Sequence, residues 1–190
     1  TIACDLTSEN ELNNLLEKIQ AENLQVNVLV NNAGIGDFSL FQKSSKEKNQ
    51  YLINLNIQAV VSLTHGILPG MIKNKEGYIL NVASLAAFSP GPYIAVYAAT
   101  KAFILSFSNA LAAEMAEHNV FVSVLCPGDI KTGFQKNAGL EGFNVQSKIS
   151  ITELSEFTYT KFMIDKEWEI IPILFFSMPN LIIIYLIVKG

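Results

Sequence analysis

Three runs rich in β-branched residues, at 26–30, 77–83 and 120–125, each end in a turn, and helix-forming stretches of about 25 residues separate them. Tight hairpins join only antiparallel strands, so strands linked through long helical crossovers lie parallel. The alternation therefore predicts a parallel sheet with helices on both faces, the doubly wound α/β class. Such sheets bind ligands beyond the carboxyl ends of their strands. The polar motifs fall at those ends: Asn31-Asn32-Ala33-Gly34 after the first run, Ser84 after the second, Pro127-Gly128 after the third.

The helix signals between the strands are local. Ser8-Glu9-Asn10-Glu11 has the S-x-x-E form of a capping box, and Leu12, Leu15, Leu16 and Ile19 follow at helical spacing, which predicts a helix over about 9–22. Apolar residues recur with the same period from about 46 to 71, where Pro69-Gly70 is expected to end the helix. Ser89-Pro90-Gly91-Pro92 reads as a loop, and the Ala-, Leu- and Phe-rich stretch over about 94–118 as the last long helix. Polar residues without a clear period fill about 133–156, the pattern of a long connecting loop.

A chain of 190 residues, half of them hydrophobic, buries one substantial core, so residues 1–160 are read as one domain. Residues 161–190 form an apolar tail in which 170–188 carries no charge. That length approaches a membrane span, yet Pro172 and Pro179 divide it into pieces of strand or short-helix length. A span, a surface-associated lid and ordinary core all stay open for it. A net charge of −4 without a basic cluster excludes nucleic acid as a partner. Cys4 and Cys126 stand far apart, with no C-x-x-C and no histidine at ligand spacing, so neither a metal site nor a disulfide framework is expected. This usage fits the cytoplasm, with membrane association added if the tail seats on a bilayer. Thr1 opens the chain and no signal-peptide pattern follows, which is read as a start inside a longer product.

Tyr97 and Lys101 stand four apart on the last helix, hence on one face. A cation beside a phenol favours phenolate, which a general acid/base working near neutral pH needs. On spacing alone the bland alternative is stronger: a lysine snorkelling past a half-buried tyrosine. Ser84, at the end of the preceding strand, adds a hydroxyl that would otherwise pass for a turn former. Asn56 by itself reads as a polar residue on a helix face, and Asp5, before Leu6-Thr7-Ser8, as a turn or cap residue.

In order and spacing, these residues resemble the classical short-chain dehydrogenase/reductase family. The matching elements are Asn31-Asn32-Ala33-Gly34, Asn56 in Leu55-Asn56-Ile57, Ser84 in Asn81-Val82-Ala83-Ser84, Tyr97 with Lys101, and Pro127-Gly128 followed by Thr132. The resemblance implies a Rossmann-type doubly wound parallel sheet, here lacking its first βαβ segment. It also implies NAD(P)-dependent interconversion of a small-molecule carbonyl and alcohol, with NAD or NADP as cofactor. By the same resemblance, Tyr97 exchanges a proton with the substrate oxygen as hydride moves. Lys101 lowers the phenol's pKa and holds the nicotinamide ribose, Ser84 hydrogen-bonds the substrate oxygen, and Asn56 positions a water linking Lys101 to solvent. Asp5 and Leu6 correspond to the adenine-contacting pair, while Asn32, Ala33 and Gly34 line the cofactor groove. Pro127, Gly128, Ile130 and Thr132 correspond to the segment against the nicotinamide. The family pairs its long helices between subunits, which implies a homodimer or homotetramer, and the apolar loop and tail suggest an apolar substrate. Cys126 and His65 are read as structural, and His118 as a residue at a helix C-terminus.

One family feature is missing. No glycine-rich T-G-x-x-x-G-x-G turn precedes Asp5, so the helix N-terminus that would hold a pyrophosphate, and the residues that would choose NAD or NADP, are not in this sequence. In the strand order 3-2-1-4-5-6, the three runs are the fourth to sixth strands. The outer edge of the fourth is then expected to be unpaired, and the isolated chain to bind a dinucleotide weakly. Two other functions stay open: a non-catalytic nucleotide-binding protein on the same fold, and a membrane-tethered interaction protein that uses the tail.

Overall fold

A computed structural model describes residues 2–128, 138 and 185–188. Helix α1 (Glu9–Ala21) leads into strand β1 (Val26–Asn31), and α2 (Lys46–Ile53) runs through a π-helical turn (Asn54–Gln58) into α3 (Ala59–Asn74). Strand β2 (Gly77–Val82), helix α4 (Ala95–Met115), strand β3 (Val120–Leu125) and strand β4 (Tyr185–Val188) complete the order.

The capping box is only half formed. Ser8 Oγ accepts from Glu11 N at 3.4 Å as expected, but the Glu11 carboxylate reaches back to Asp5 N at 2.7 Å, past the Ser8 amide. Ser8 N instead donates to Asp5 O, closing a turn ahead of the helix. Leu12, Leu15 and Ile19 then face inward. Gly66 on α3 lets α1 approach closely, since a Cβ there would lie 2.6 Å from both methyl carbons of Leu16.

The second helix does not stop at Pro69. A proline in a helix leaves the carbonyl four residues earlier without its amide partner, and His65 lies exposed, where water can take that role. The helix ends at Lys75, which adopts φ 52° and sends its amide back to the Met71 and Ile72 carbonyls. Asn119 makes the corresponding left-handed exit (φ 55°) after α4 and the short 3₁₀ turn that ends at His118.

Strands β1, β2 and β3 pair in parallel and in register, Val28 beside Tyr78 and Tyr78 beside Phe121. On one sheet face Leu29, Ile79 and Val120 pack with α1, α3 and α4 around Leu12, Leu63, Ile67, Met71 and Leu111. A buried amide network crosses this face: Asn31 Nδ2 donates to Asn81 Oδ1 (2.8 Å), and Asn81 Nδ2 donates to Ser108 Oγ (2.9 Å). The opposite face carries Val28, Val30, Tyr78 and Leu80. The described helices all lie on the first face.

The edge of the sheet departs from the expected one. The outer edge of β1 is not unpaired: β4 lies antiparallel along it, with Val30 beside Tyr185 and Val26 beside Val188, giving the order β3-β2-β1-β4. A buried apolar strand with a bare edge is open to pairing, and a short apolar segment of the tail satisfies those backbone groups. The rest of the tail and the expected loop over 133–156 lie outside the described residues, apart from residue 138. Residues 46–74 and 95–118 are each long and apolar enough to cross a membrane by length and composition. Both pack on the sheet, as core helices do.

Candidate active site

The carboxyl ends of β1 and β2 bring Gly34, Asn56, Ser84, Tyr97 and Lys101 into one region. After β1 the chain turns at Gly34, where a Cβ would lie 3.2 Å from Asn56 Oδ1 and 3.4 Å from Lys101 Nζ. A side chain there would press Asn56 Oδ1 by a few tenths of an ångström and come into contact with Lys101 Nζ. Asn56 sits in the π-helical turn and is 1% exposed. Its Oδ1 accepts from Ile35 N (3.0 Å), and its Nδ2 donates to Ile35 O (2.9 Å) and Thr100 Oγ1 (3.1 Å). Both side-chain donors are therefore engaged. A π-turn widens a helix locally and is common at functional sites.

Ser84 follows β2 and caps a 3₁₀ turn, with its Oγ accepting from Ala86 N at 3.1 Å. The hydroxyl proton is not used by that bond. Leu85 N donates to Pro127 O at 2.9 Å, tying the exit of β3 to the serine turn, and Gly128 lies against Leu85. Tyr97 stands half-buried in the first turn of α4, with Lys101 one turn later. Lys101 Nζ lies 5.9 Å from the Tyr97 ring centroid and donates to Val82 O at 2.8 Å.

Lys101 is 5% exposed, and no carboxylate pairs with it among the described residues. Burial lowers its pKa to about 8, and the neighbouring Cys126 works in the opposite direction. Burial also raises the Cys126 thiol, partly offset by the Ser84 amide and the Lys101 charge. Cys126 thus lies close to both Ser84 and Lys101.

Two clefts flank this centre. One is lined by Leu6, Asn31, Asn32, Ala33 and Leu55, so three of the sequence-predicted cofactor residues share it. Asn31 Oδ1 is buried there without a hydrogen-bond partner among the described residues. Asp5 is exposed, and its carboxylate accepts from Thr7 N and Thr7 Oγ1, the bonding of a turn residue. Ile130 and Thr132 lie outside the described residues. Leu6 and Ala33, which share this cleft, could hold the adenosine end of a dinucleotide, and the buried Lys101 its nicotinamide ribose. None of them supplies a pyrophosphate cradle.

The second cleft opens beside Tyr97 and is lined by Asp37, Ser39, Phe41, Asn49 and Tyr93. Burial alone would raise the Asp37 carboxyl, but Lys48, the Ser39 hydroxyl and the Phe38 amide together hold it below its ordinary value. Phe38 and Tyr93 stack with centroids 5.3 Å apart, joining the loop after β1 to the loop before α4. Phe41 and Phe88 are 66% and 63% exposed on these loops, with Leu85 and Tyr93 also open to solvent.

Sequence reasoning did not find Thr100, Ile35 or the Val82 carbonyl. A threonine inside Tyr97-Ala98-Ala99-Thr100-Lys101 reads as an ordinary helix residue, and backbone groups leave no mark in a sequence.

Comparison with known proteins places the chain. A very-long-chain 3-oxoacyl-CoA reductase of Laccaria bicolor is 40% identical over 104 residues, 54% of this chain and 31% of that protein. A 3-ketodihydrosphingosine reductase of Bacteroides thetaiotaomicron is 30% identical over 147 residues, 77% of this chain and 55% of that protein. The chain thus spans between about a third and somewhat over half of these relatives' length. A short-chain dehydrogenase from Sphingobium yanoikuyae, solved with NADPH, superposes with a TM-score of 0.76 at 26% identity, covering 83% of this chain and 62% of that one. Residues 1–141 match the short chain dehydrogenase model, and the parallel sheet carries the family's motif residues at its carboxyl ends: the chain belongs to the short chain dehydrogenase family.

Proposed function

We propose that this chain forms the catalytic part of an oxidoreductase that interconverts a carbonyl and an alcohol with NAD or NADP. The observation that carries the reading is Lys101: an ammonium buried against the Tyr97 ring with a backbone carbonyl as partner and no counter-ion among the described residues. Burying an uncompensated charge costs stability, and such groups concentrate where chemistry needs them. A bound nicotinamide supplies or accepts the hydride. The chain's own residues handle the oxygen and its proton. Tyr97 gives a proton to the substrate oxygen in reduction and takes it back in oxidation. Ser84 donates the hydroxyl hydrogen that its cap bond leaves free, orienting that oxygen and stabilising its developing charge. Lys101 has two further N–H donors beyond the one on Val82 O, one for the ribose and one toward the phenol. Asn56 Oδ1 accepts one bond, from Ile35 N, and lies with Lys101 Nζ against Gly34, so its second lone pair serves a water linking Lys101 to solvent.

The substrate class proposed is an apolar acyl or alkyl ketone. Exposed Phe41, Phe88 and Leu85 beside the Tyr97 cleft support it, and the names of the two relatives point the same way. The full-length protein, assayed with NADPH and NADH on 3-oxoacyl thioesters of increasing chain length, should show kcat/KM rising with each added methylene by up to about fourfold, the value of about 0.8 kcal/mol per buried CH₂. No turnover with either cofactor would end the enzymatic reading. A flat response to chain length would end the apolar one.

The proposal includes a cytoplasmic enzyme whose apolar tail allows membrane contact, and a homodimer or homotetramer. Tyr51 and Ile53 on α2 and Phe103 on α4 are 43%, 38% and 39% exposed, more apolar helix surface than a monomer normally leaves open. Light scattering at micromolar concentration should give a dimer or tetramer mass. A monomer mass would remove this part.

A further inference from the structure

From the hydrogen-bond chain in the site we infer that Thr100 is a positioning residue: its hydroxyl sets the placement of the Tyr97–Lys101 turn relative to Asn56 and the loop after β1. The inference rests on the oxidoreductase reading above. Thr100 is 1% exposed, and its Oγ1 has two hydrogen-bond partners among the described residues. It accepts from Asn56 Nδ2 at 3.1 Å and donates to Tyr97 O at 2.8 Å. A hydroxyl has one proton, so the direction of the chain is fixed: Asn56 amide to Thr100 hydroxyl to Tyr97 carbonyl. In an α-helix the same Tyr97 carbonyl accepts the amide of Lys101, four residues on. One oxygen thus joins the backbone of the proposed acid/base to the backbone of its cation, and Thr100 holds that oxygen from the side.

At its other end the chain reaches Ile35 through both atoms of the Asn56 amide. Three separate elements, the loop after β1, the π-turn and α4, therefore meet through two side chains. Among the described residues no other side-chain hydrogen bond links the π-turn to α4. A valine of nearly the same shape would fill the space but leave the buried Asn56 amide without this acceptor and Tyr97 O without this donor, so the hydroxyl serves the polar chain and not the packing alone. The hydroxyl aligns dipoles in one direction, an arrangement in which each bond strengthens the next.

The test is Thr100→Val, with Thr100→Ser as the rescue, in the full-length protein. Thr100→Val should lower kcat for the ketone at least tenfold with KM changed less than twofold, and move the pH profile of kcat by half a unit or more. It should also speed hydrogen exchange at the Lys101 amide at least tenfold relative to the C-terminal half of α4. Thr100→Ser should recover both within threefold. A valine variant with the wild-type kcat and pH profile, or one that loses thermal stability alone, overturns the inference; so does a serine variant that fails to rescue. If the wild-type protein shows no turnover, the oxidoreductase reading falls on its own. The exchange measurement then decides: faster exchange restored by serine keeps the positioning role, and unchanged exchange ends it.

Discussion

Tyr97→Phe in the full-length protein is expected to lower kcat by between about a hundredfold and ten-thousandfold, the range that a positioned proton donor contributes, while cofactor affinity stays within about twofold. The substitution removes one oxygen from a half-buried ring on the first turn of α4 and leaves the hydrogen bonds of Thr100 to Asn56 and Tyr97 O, and of Lys101 to Val82 O, untouched, since none of these runs to the phenol. Folding should therefore survive. Steady-state rates alongside cofactor titration separate the two effects. Residual activity within about tenfold of wild type, roughly 1.4 kcal/mol of barrier, would remove Tyr97 from the proton transfer.

Lys101→Met should act in opposite directions on activity and stability. Turnover should collapse and cofactor binding weaken, because the ammonium on the ribose side is gone. Stability at pH 7 should rise by about 1–3 kcal/mol, as happens when a buried charge is replaced by an apolar side chain of similar volume. The pH dependence follows from the folded-state pKa, which burial depresses from 10.5 to about 8. Below about pH 8 both folded and unfolded chains carry the proton, so the folded protein bears the whole burial cost, on the order of 3 kcal/mol before the Val82 bond offsets part of it. Between pH 8 and 10.5 the unfolded chain holds the proton and the folded one releases it, so the wild-type protein gains stability relative to methionine as pH rises through that window. Urea midpoints of both proteins at pH 7 and pH 10 measure the difference. A wild-type protein more stable than the methionine variant at pH 7, or a gap that widens toward pH 10, would contradict the buried-ammonium account.

The parts of the fold that could be read from sequence are those encoded locally. The three β-branched runs gave strands within a residue of their observed limits: β1 and β2 are buried almost throughout and so largely apolar, and β3 keeps the β-branched pattern although Phe121 and Ser123 are exposed on it. Tyr97, Lys101 and Ser84 stand out only through the order and spacing of the whole pattern from Asn31 to Thr132, since the spacing of the tyrosine and lysine alone favours a bland reading. Pro69 misled because its effect depends on whether the freed carbonyl meets water, and the exposure of His65 belongs to the fold, not to the local sequence. The tail hid β4 because an uncharged run has the same composition whether it lies in lipid, in a core or along a strand edge. Glu11 carried the signature of a reciprocal cap, yet the turn before α1 had already used the Ser8 amide. Asn56 was located by its motif, but its commitment to Ile35 and Thr100 is long-range, across separations of 21 and 44 residues. No local pattern carries such a pairing.

The π-turn at Asn54–Gln58 makes α2 and α3 one rod with a break in its indexing. Each residue advances an α-helix by about 100°, so a single residue looped wide rotates everything before it by that angle relative to everything after. Leu52, fully buried on α2, and Leu63, buried on α3, both face the interior across this phase jump. A chain one residue shorter here could close into an unbroken helix, and would then turn either α2 or α3 away from its partners and carry Asn56 off the loop at Ile35. The residue count between the two helices is thus itself a specified quantity. Substitutions along the rod are free to change its composition, whereas insertions and deletions act on the whole site at once.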